Sequence, residues 1–228
     1  MTRRKSSPAA AMKKKVLLVD DHPIVRHGLS LLINNESDLI VCGEADDAPL
    51  ALSLIPMVKP DIAVVDLYLK TTGGLDLIKD MKIRFPRLPT LVLSMHDESL
   101  YAERALRAGA RGYITKQQAV TQIASAIRKV LKGEIHLSEE MIKKMLDQVT
   151  SNPKEQGRTR VETLSDRELE VFRLIGRGFG AQEIARQLNL SVKTIDSHRE
   201  MLKRKLDLGS AAKLTRYAVE WMRSEGAE

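Results

Sequence analysis

Three acids, a lysine and a serine in this sequence stand at the ends of short apolar runs. Asp20-Asp21 follow Val16-Leu-Leu-Val19, Asp66 closes Asp61-Ile-Ala-Val-Val-Asp66, and Lys116 follows Gly112-Tyr-Ile-Thr115. Ser94 ends a fourth run, Thr90-Leu-Val-Leu-Ser94. Open α/β sheets bind ligands at the carboxyl ends of their strands, so these side chains converge if the runs belong to one sheet. Crowded carboxylates repel and raise one another's pKa. A divalent cation relieves that, and hard oxygen donors with room for water and phosphate oxygens suit Mg2+. A carboxylate can also act as a nucleophile and form an aspartyl phosphate. A metal and a lysine would offset charge on the transferring phosphoryl group, and Ser94 can donate to one of its oxygens. Singly, each residue has a plain reading: a strand-end Asp or Ser caps a turn, and a lone Lys is solvated. Together they suggest one phosphoryl-transfer site.

The elements that must position them follow from periodicity. Apolar, β-branched runs at 15–20, 39–44, 61–66, 90–94 and 112–115 alternate with helical stretches at 23–34, 47–57, 75–84, 98–108 and 118–132. Short buried runs separated by helices imply parallel strands joined by right-handed crossovers. The expected fold is therefore an α/β, doubly wound, five-stranded parallel sheet over residues 15–132. A further helix is expected over 134–149, making 133–149 a linker helix. Residues 150–162 are polar and carry Pro and Gly, which reads as a flexible linker.

From 163 to 228 the pattern is helical and reads as a small all-α, four-helix domain. Ser165-Asp-Arg-Glu168 has capping-box spacing and opens a helix to about Gly176. A second helix spans about Ala181–Leu188, Asn189-Leu190 form a tight turn, and Ser191 caps a third helix to about Leu206. A fourth runs from Gly209-Ser210 to about Arg223. Two short helices, a tight turn and a longer helix make a helix-turn-helix pattern. With Ile195 at zero and about 100° per residue, Leu202 and Leu206 fall within about 20° of it, forming a buried stripe. Lys193, Asp196, Ser197, Glu200 and Arg204 lie opposite, free to enter a major groove. Thr194 and His198 occupy a flank suited to phosphate or interhelix contact. Acids at 196 and 200 would repel phosphates but can accept from cytosine N4, so one of them is a candidate base reader. Lys193, Arg199, Lys203 and Arg204 are candidates for phosphate contact or groove approach, while Glu200 and Arg204 have the spacing to pair with each other.

Charge is uneven. Residues 1–14 form a basic tail that reads as disordered, and residues 1–15 carry six basic residues and no acid. The net charge of +7 is therefore mostly a tail effect and by itself weak evidence for nucleic acid. Cys42 is the only cysteine, which excludes an internal disulfide and a cysteine zinc cluster and fits a reducing cytoplasm. No apolar run approaches the ~20 residues of a membrane span, so no membrane partner is expected.

Over roughly 15–132 the chain resembles the receiver domain of two-component response regulators, a flavodoxin-like fold. The motifs are Val19-Asp20-Asp21-His22, Val64-Val65-Asp66-Leu67, Leu93-Ser94-Met95-His96 and Gly109-Ala-Arg-Gly112-Tyr113-Ile-Thr-Lys116. The resemblance implies that Asp66 accepts a phosphoryl group from a sensor histidine kinase. Asp20, Asp21, Asp66 and the Tyr68 backbone carbonyl would hold Mg2+, and Lys116 would contact the phosphoryl group. Ser94 and Tyr113 would form a switch pair, the hydroxyl moving to the phosphate and the ring turning inward. His22 is read as the start of the first helix. Met95 stands where many receivers have a small residue, which would narrow access to Asp66.

Residues 160–225 resemble the LuxR-type helix-turn-helix through Leu164-Ser-Asp-Arg-Glu168 and Ser191-Val-Lys-Thr194-Ile-Asp-Ser-His198, and the pair of domains resembles the NarL/FixJ branch. The implied function is a phosphorylation-controlled transcription regulator, not an enzyme, that binds promoter DNA as a homodimer, since paired half-sites favour two-fold symmetry. By the same resemblance, the fourth helix would dimerise on DNA and an unphosphorylated receiver would cover the reading helix. Two rival readings stand beside it: a constitutive DNA-binding protein whose receiver serves only protein contacts, and a small phosphatase working through an aspartyl phosphate.

Overall fold

The computed structural model describes residues 12–69, 73–95, 98–150 and 160–225. Most of the basic tail, most of the polar linker and His96 lie outside them. Strand and helix alternate through β1 (Lys14–Val19), α1 (Pro23–Asn34), β2 (Leu39–Ala45), α2 (Ala48–Val58), β3 (Ile62–Asp66), α3 (Gly74–Arg84), β4 (Thr90–Ser94), α4 (Glu98–Ala108), β5 (Gly112–Thr115) and α5 (Lys116–Leu131). The five strands are parallel in the order β2-β1-β3-β4-β5. The chain steps outward from β1 to β2 and returns to β3 on the other side. That reversal opens the crevice in which doubly wound sheets bind ligands.

The strands read as near-continuous apolar runs because both sheet faces are covered. Val16, Leu18, Val64, Leu91, Leu93 and Ile114 pack against Leu29 and Ile33 of α1 and Ile123 and Ile127 of α5. Leu17, Val19, Ala63, Val65 and Val92 face Ile55 of α2, Leu77, Ile78 and Met81 of α3, and Ala102 and Ala105 of α4. Register sets Val19 beside Val65, Asp66 beside Leu93 and Ser94 beside Thr115, which brings the polar strand ends to one edge.

Two local devices fix that edge. A Cβ on Gly74 would lie 2.1 Å from the Asp66 carbonyl oxygen, so only glycine lets α3 begin this close to β3. Thr115 and Gln118 form a reciprocal capping box that starts α5 at Lys116, two residues before the sequence pattern suggests. Lys116 is thereby held in the first turn of a helix rather than in a loop.

The expected helix over 134–149 is shorter in the structure, α6 (Glu139–Thr150). Residues before it run beside β5 instead: Tyr113 N donates to His136 O and His136 N to Arg111 O. The expected linker over 150–162 is also trimmed. Arg160–Thr163 form a 3-10 turn, with Val161 buried and Arg160 Nη1 donating to Leu206 O at 2.8 Å. One apolar residue and one donor anchor what composition alone reads as linker.

The C-terminal helices are α7 (Asp166–Gly176), α8 (Ala181–Gln187), α9 (Val192–Leu206) and α10 (Ala211–Glu225). Ser165 and Glu168 close the capping box that opens α7, Asn189 takes the left-handed conformation at φ 51°, and Ser191 Oγ accepts from Thr194 N at 3.1 Å to start α9. Leu214 and Ala218 of α10 are fully buried, and the Trp221 ring lies 5.4 Å from that of Phe172. These residues hold α10 to its own domain, with Leu214 and Ala218 wholly inside it and Trp221 partly exposed.

Candidate phosphorylation pocket and nucleic-acid interface

At the sheet edge, Asp20 and Asp66 are each only 2% exposed. Lys116 Nζ lies 2.8 Å from Asp66 Oδ2 and 2.7 Å from Asp20 Oδ2, tying the ends of β1, β3 and β5 together. Burial pushes the Asp66 carboxyl up to about 6, and Asp20 adds to the rise while Lys116 opposes it. Burial alone would pull the Lys116 pKa down, but the Asp66 and Asp20 carboxylates more than reverse that and it rises. Tyr68 N donates to Asp66 Oδ1 at 3.3 Å, placing the Tyr68 main chain at the pocket.

Asp20, Asp21, His22 and Asp66 each direct a possible ligand atom to a common volume, all within 4.8 Å of one another. Asp21 Oδ1 is shielded from solvent yet has no hydrogen-bond partner among the described residues. A hard oxygen donor left in that condition inside an acidic cluster fits a divalent cation such as Mg2+. His22 is the residue that pattern reading underused. It does stand at the N-cap of α1, but its side chain makes no capping bond there. Its Nδ1 instead lies 2.8 Å from Asp21 Oδ1, 3.1 Å from Asp20 Oδ1 and 3.9 Å from Asp66 Oδ2. Its position immediately after the acidic pair was the available signal.

Ser94 is fully buried at the end of β4, and its hydroxyl is hydrogen-bonded to that of Tyr113. Burial raises the Tyr113 hydroxyl well above its ordinary pKa, and the Ser94 hydroxyl opposes that rise. The Tyr113 ring is only 1% exposed. The ring, which the resemblance implied would turn inward, lies inward in this structure. Met95 is 64% exposed beside the pocket.

The second polar assembly is α9. Ile195, Leu202 and Leu206 are buried, whereas Lys193, Asp196, Ser197, Glu200 and Arg204 are exposed, and Thr194, His198, Arg199 and Lys203 are half-buried. Glu200 pairs with Lys203 at 2.8 Å rather than with Arg204, whose guanidinium rests against Met201 Sδ.

Contacts between the two halves run through α7 and the 3-10 turn. Asp166 accepts from Lys79 Nζ at 2.9 Å and Arg104 Nη1 at 3.1 Å, and Glu162 Oε1 lies 3.2 Å from Lys144 Nζ. The Arg173 guanidinium is almost fully buried, 3.9 Å from the Tyr68 ring centroid and 5.8 Å from that of Tyr101. The expected covering of the reading helix is not what this arrangement shows: the polar face of α9 is open, and the docked element is α7.

The chain matches the response regulator receiver domain family over residues 16–128 and the bacterial regulatory proteins of the luxR family over 162–218. It is 36% identical over 211 residues to the oxygen regulatory protein NreC of Staphylococcus aureus, covering 90% of this chain and 97% of that one. The Salmonella typhimurium response regulator RcsB is similar in structure, with a TM-score of 0.70 and 29% identity over 92% of this chain and 98% of that one. RcsB bound to promoter rprA with the phosphomimetic BeF3− has a TM-score of 0.66 and 29% identity, covering 91% and 98%. A receiver pocket at a sheet edge, followed by a LuxR-type helix-turn-helix, defines a DNA-binding regulator rather than an enzyme. The chain belongs to the two-component response regulators of the NarL/FixJ type.

Proposed function

We propose that Asp66 is the phosphoacceptor and that a sensor histidine kinase is the donor. The nitrogen–phosphorus bond of a phosphohistidine breaks as an Asp66 carboxylate oxygen takes the phosphoryl group. The observation that carries this reading is Lys116 Nζ seated between Asp66 and Asp20 at 2.8 and 2.7 Å. A cation in that position can follow the phosphoryl oxygens as charge develops on them. Asp20, Asp21, Asp66 and the Tyr68 carbonyl would hold Mg2+, which supplies charge offset for the same oxygens. Ser94 then turns from the Tyr113 hydroxyl toward the phosphoryl group. The division of labour is 15–132 for phosphorylation and 163–228 for promoter DNA, read by Lys193, Thr194, Asp196, Ser197, His198, Arg199, Glu200, Lys203 and Arg204 in a homodimer. Among the described residues no helix is long and apolar enough to cross a membrane, which suits a cytoplasmic regulator.

Control runs through the docked α7. Tyr68 offers its amide to Asp66 and its ring to Arg173, so a phosphoryl group on Asp66 disturbs the contact and frees the helix-turn-helix to pair on DNA. The deciding experiment is selection of bound DNA from a random pool, with and without a small phosphodonor and Mg2+. A two-fold symmetric site enriched more strongly with phosphodonor is expected. Equal enrichment in both conditions would favour a constitutive binder, and no enrichment in either would remove the DNA-reading role.

A further inference from the structure

We infer that His22 is a fourth side-chain donor of the acidic pocket, which makes the site prefer divalent ions that accept imidazole nitrogen, such as Co2+, over Mg2+. The inference rests on the proposed cation site and adds a ligand of a different chemical kind to it. Four observations carry it. His22 Nδ1 lies 2.8 Å from Asp21 Oδ1 and 3.1 Å from Asp20 Oδ1, close to the ~3 Å edge of an octahedron with bonds of about 2.1 Å. Its 3.9 Å separation from Asp66 Oδ2 falls between the adjacent and opposite spacings of that octahedron. Asp21 Oδ1 has no hydrogen-bond partner among the described residues although the imidazole nitrogen is 2.8 Å away, so the two atoms meet without hydrogen-bond alignment. Nδ1 is hydrogen-bonded to Asp20 Oδ1 at 3.1 Å, a contact that a cation held by both atoms would replace. Finally, the imidazole has no capping duty on α1, while the His22 amide is held by Asp20 Oδ1 at 2.8 Å, which fixes the residue over the pocket mouth.

Three carboxylates alone make an all-oxygen site suited to Mg2+, Ca2+ and Mn2+. One neutral imidazole added to them favours the later first-row ions, for which nitrogen is a better donor. Mg2+ still enters, because it keeps water in place of a ligand it dislikes.

The test is calorimetric titration of the full-length protein with Co2+ and with Mg2+, for wild type, His22→Ala and His22→Asn. Wild type should bind Co2+ at least about tenfold more tightly than either variant, with Mg2+ affinity changed by less than about threefold. The Mn2+-loaded wild type should also show a nitrogen coupling in its electron spin-echo spectrum that His22→Ala lacks. Unchanged circular dichroism separates ligand loss from misfolding. Equal Co2+ affinity in all three proteins, or a nitrogen coupling that survives His22→Ala, overturns the inference while leaving the Mg2+ site intact. Failure of wild type to bind either ion, or an Asp66→Asn variant that binds both as tightly, would overturn the cation site itself.

Discussion

The pocket and the reading helix handle charge in opposite ways. At the sheet edge the side chains of Asp20, Asp66 and Lys116 are buried and held at 2.7–2.8 Å, so Asp20 and Lys116 act on the protonation of Asp66, and the two carboxylates raise that of Lys116. On the reading face of α9 the polar residues are exposed or half-buried, and Glu200 pairs with Lys203, three residues further on. Exposed pairs of that kind contribute about 0–1 kcal/mol and exchange readily for another partner. The pocket is thus built to perform chemistry on arrival of a small group. The reading face is built to be completed by a large polyanion.

The sharpest way to break this contrast is Asp66→Asn. Label from a small phosphodonor with Mg2+ should fall to background; retained label would move the phosphoacceptor elsewhere. Next is the stripe beneath the reading face. Leu202→Ala removes a fully buried side chain and should destabilise the C-terminal helices by about 2–5 kcal/mol in urea, with phosphorylation of Asp66 unaffected. A loss of labelling would show that the two regions are not separable in this way.

A smaller effect is set by pH. The Asp66 carboxyl is raised to about 6 in the folded chain, against an ordinary value of 3.8. The folded state therefore holds this proton more tightly than the unfolded state. Stability from this group is present below the ordinary value and is lost as pH rises toward about 6, by roughly 3 kcal/mol in all. Without divalent cation, urea stability of wild type relative to Asp66→Asn should fall between pH 4 and 6 and level off above. A difference independent of pH would mean that Lys116 fully compensates the buried charge.

Arg173→Ala removes a desolvated guanidinium from two aromatic rings, an interaction of about 2 kcal/mol. Unphosphorylated protein should then bind its DNA several-fold more tightly. Unchanged affinity would show that α7 docking does not restrain the reading face. The smallest effect is expected from Glu200→Ala, a change of about 1 kcal/mol confined to one base position of the selected site. An unchanged preference would return Glu200 to its role as partner of Lys203.

The sheet was readable because its signals are local. Each strand is an apolar run and each functional group sits where a run stops, so Asp20, Asp66, Ser94 and Lys116 could be placed together before any coordinates. The stripe of Ile195, Leu202 and Leu206 followed from helical period alone. What escaped depends on tertiary geometry. The segment before α6 pairs with β5 through backbone atoms of His136, which no side-chain pattern records. Val161 is one apolar residue in a polar stretch and gives no period. Whether the Tyr113 ring lies in or out is a rotamer choice, which sequence does not encode. Arg173 looks like a surface residue of an amphipathic helix, and only the docked Tyr68 and Tyr101 rings explain its burial.

Tyr68 contributes a main-chain amide to one site and an aromatic face to the other. The span between the Asp66 carboxylate and the buried Arg173 guanidinium is thus that of a single residue. A substitution such as Tyr68→Ala would keep the amide and delete the ring. The ion pairs of Asp166 with Lys79 and Arg104 would remain between the halves, but the contact that shares a residue with the Asp66 pocket would be gone.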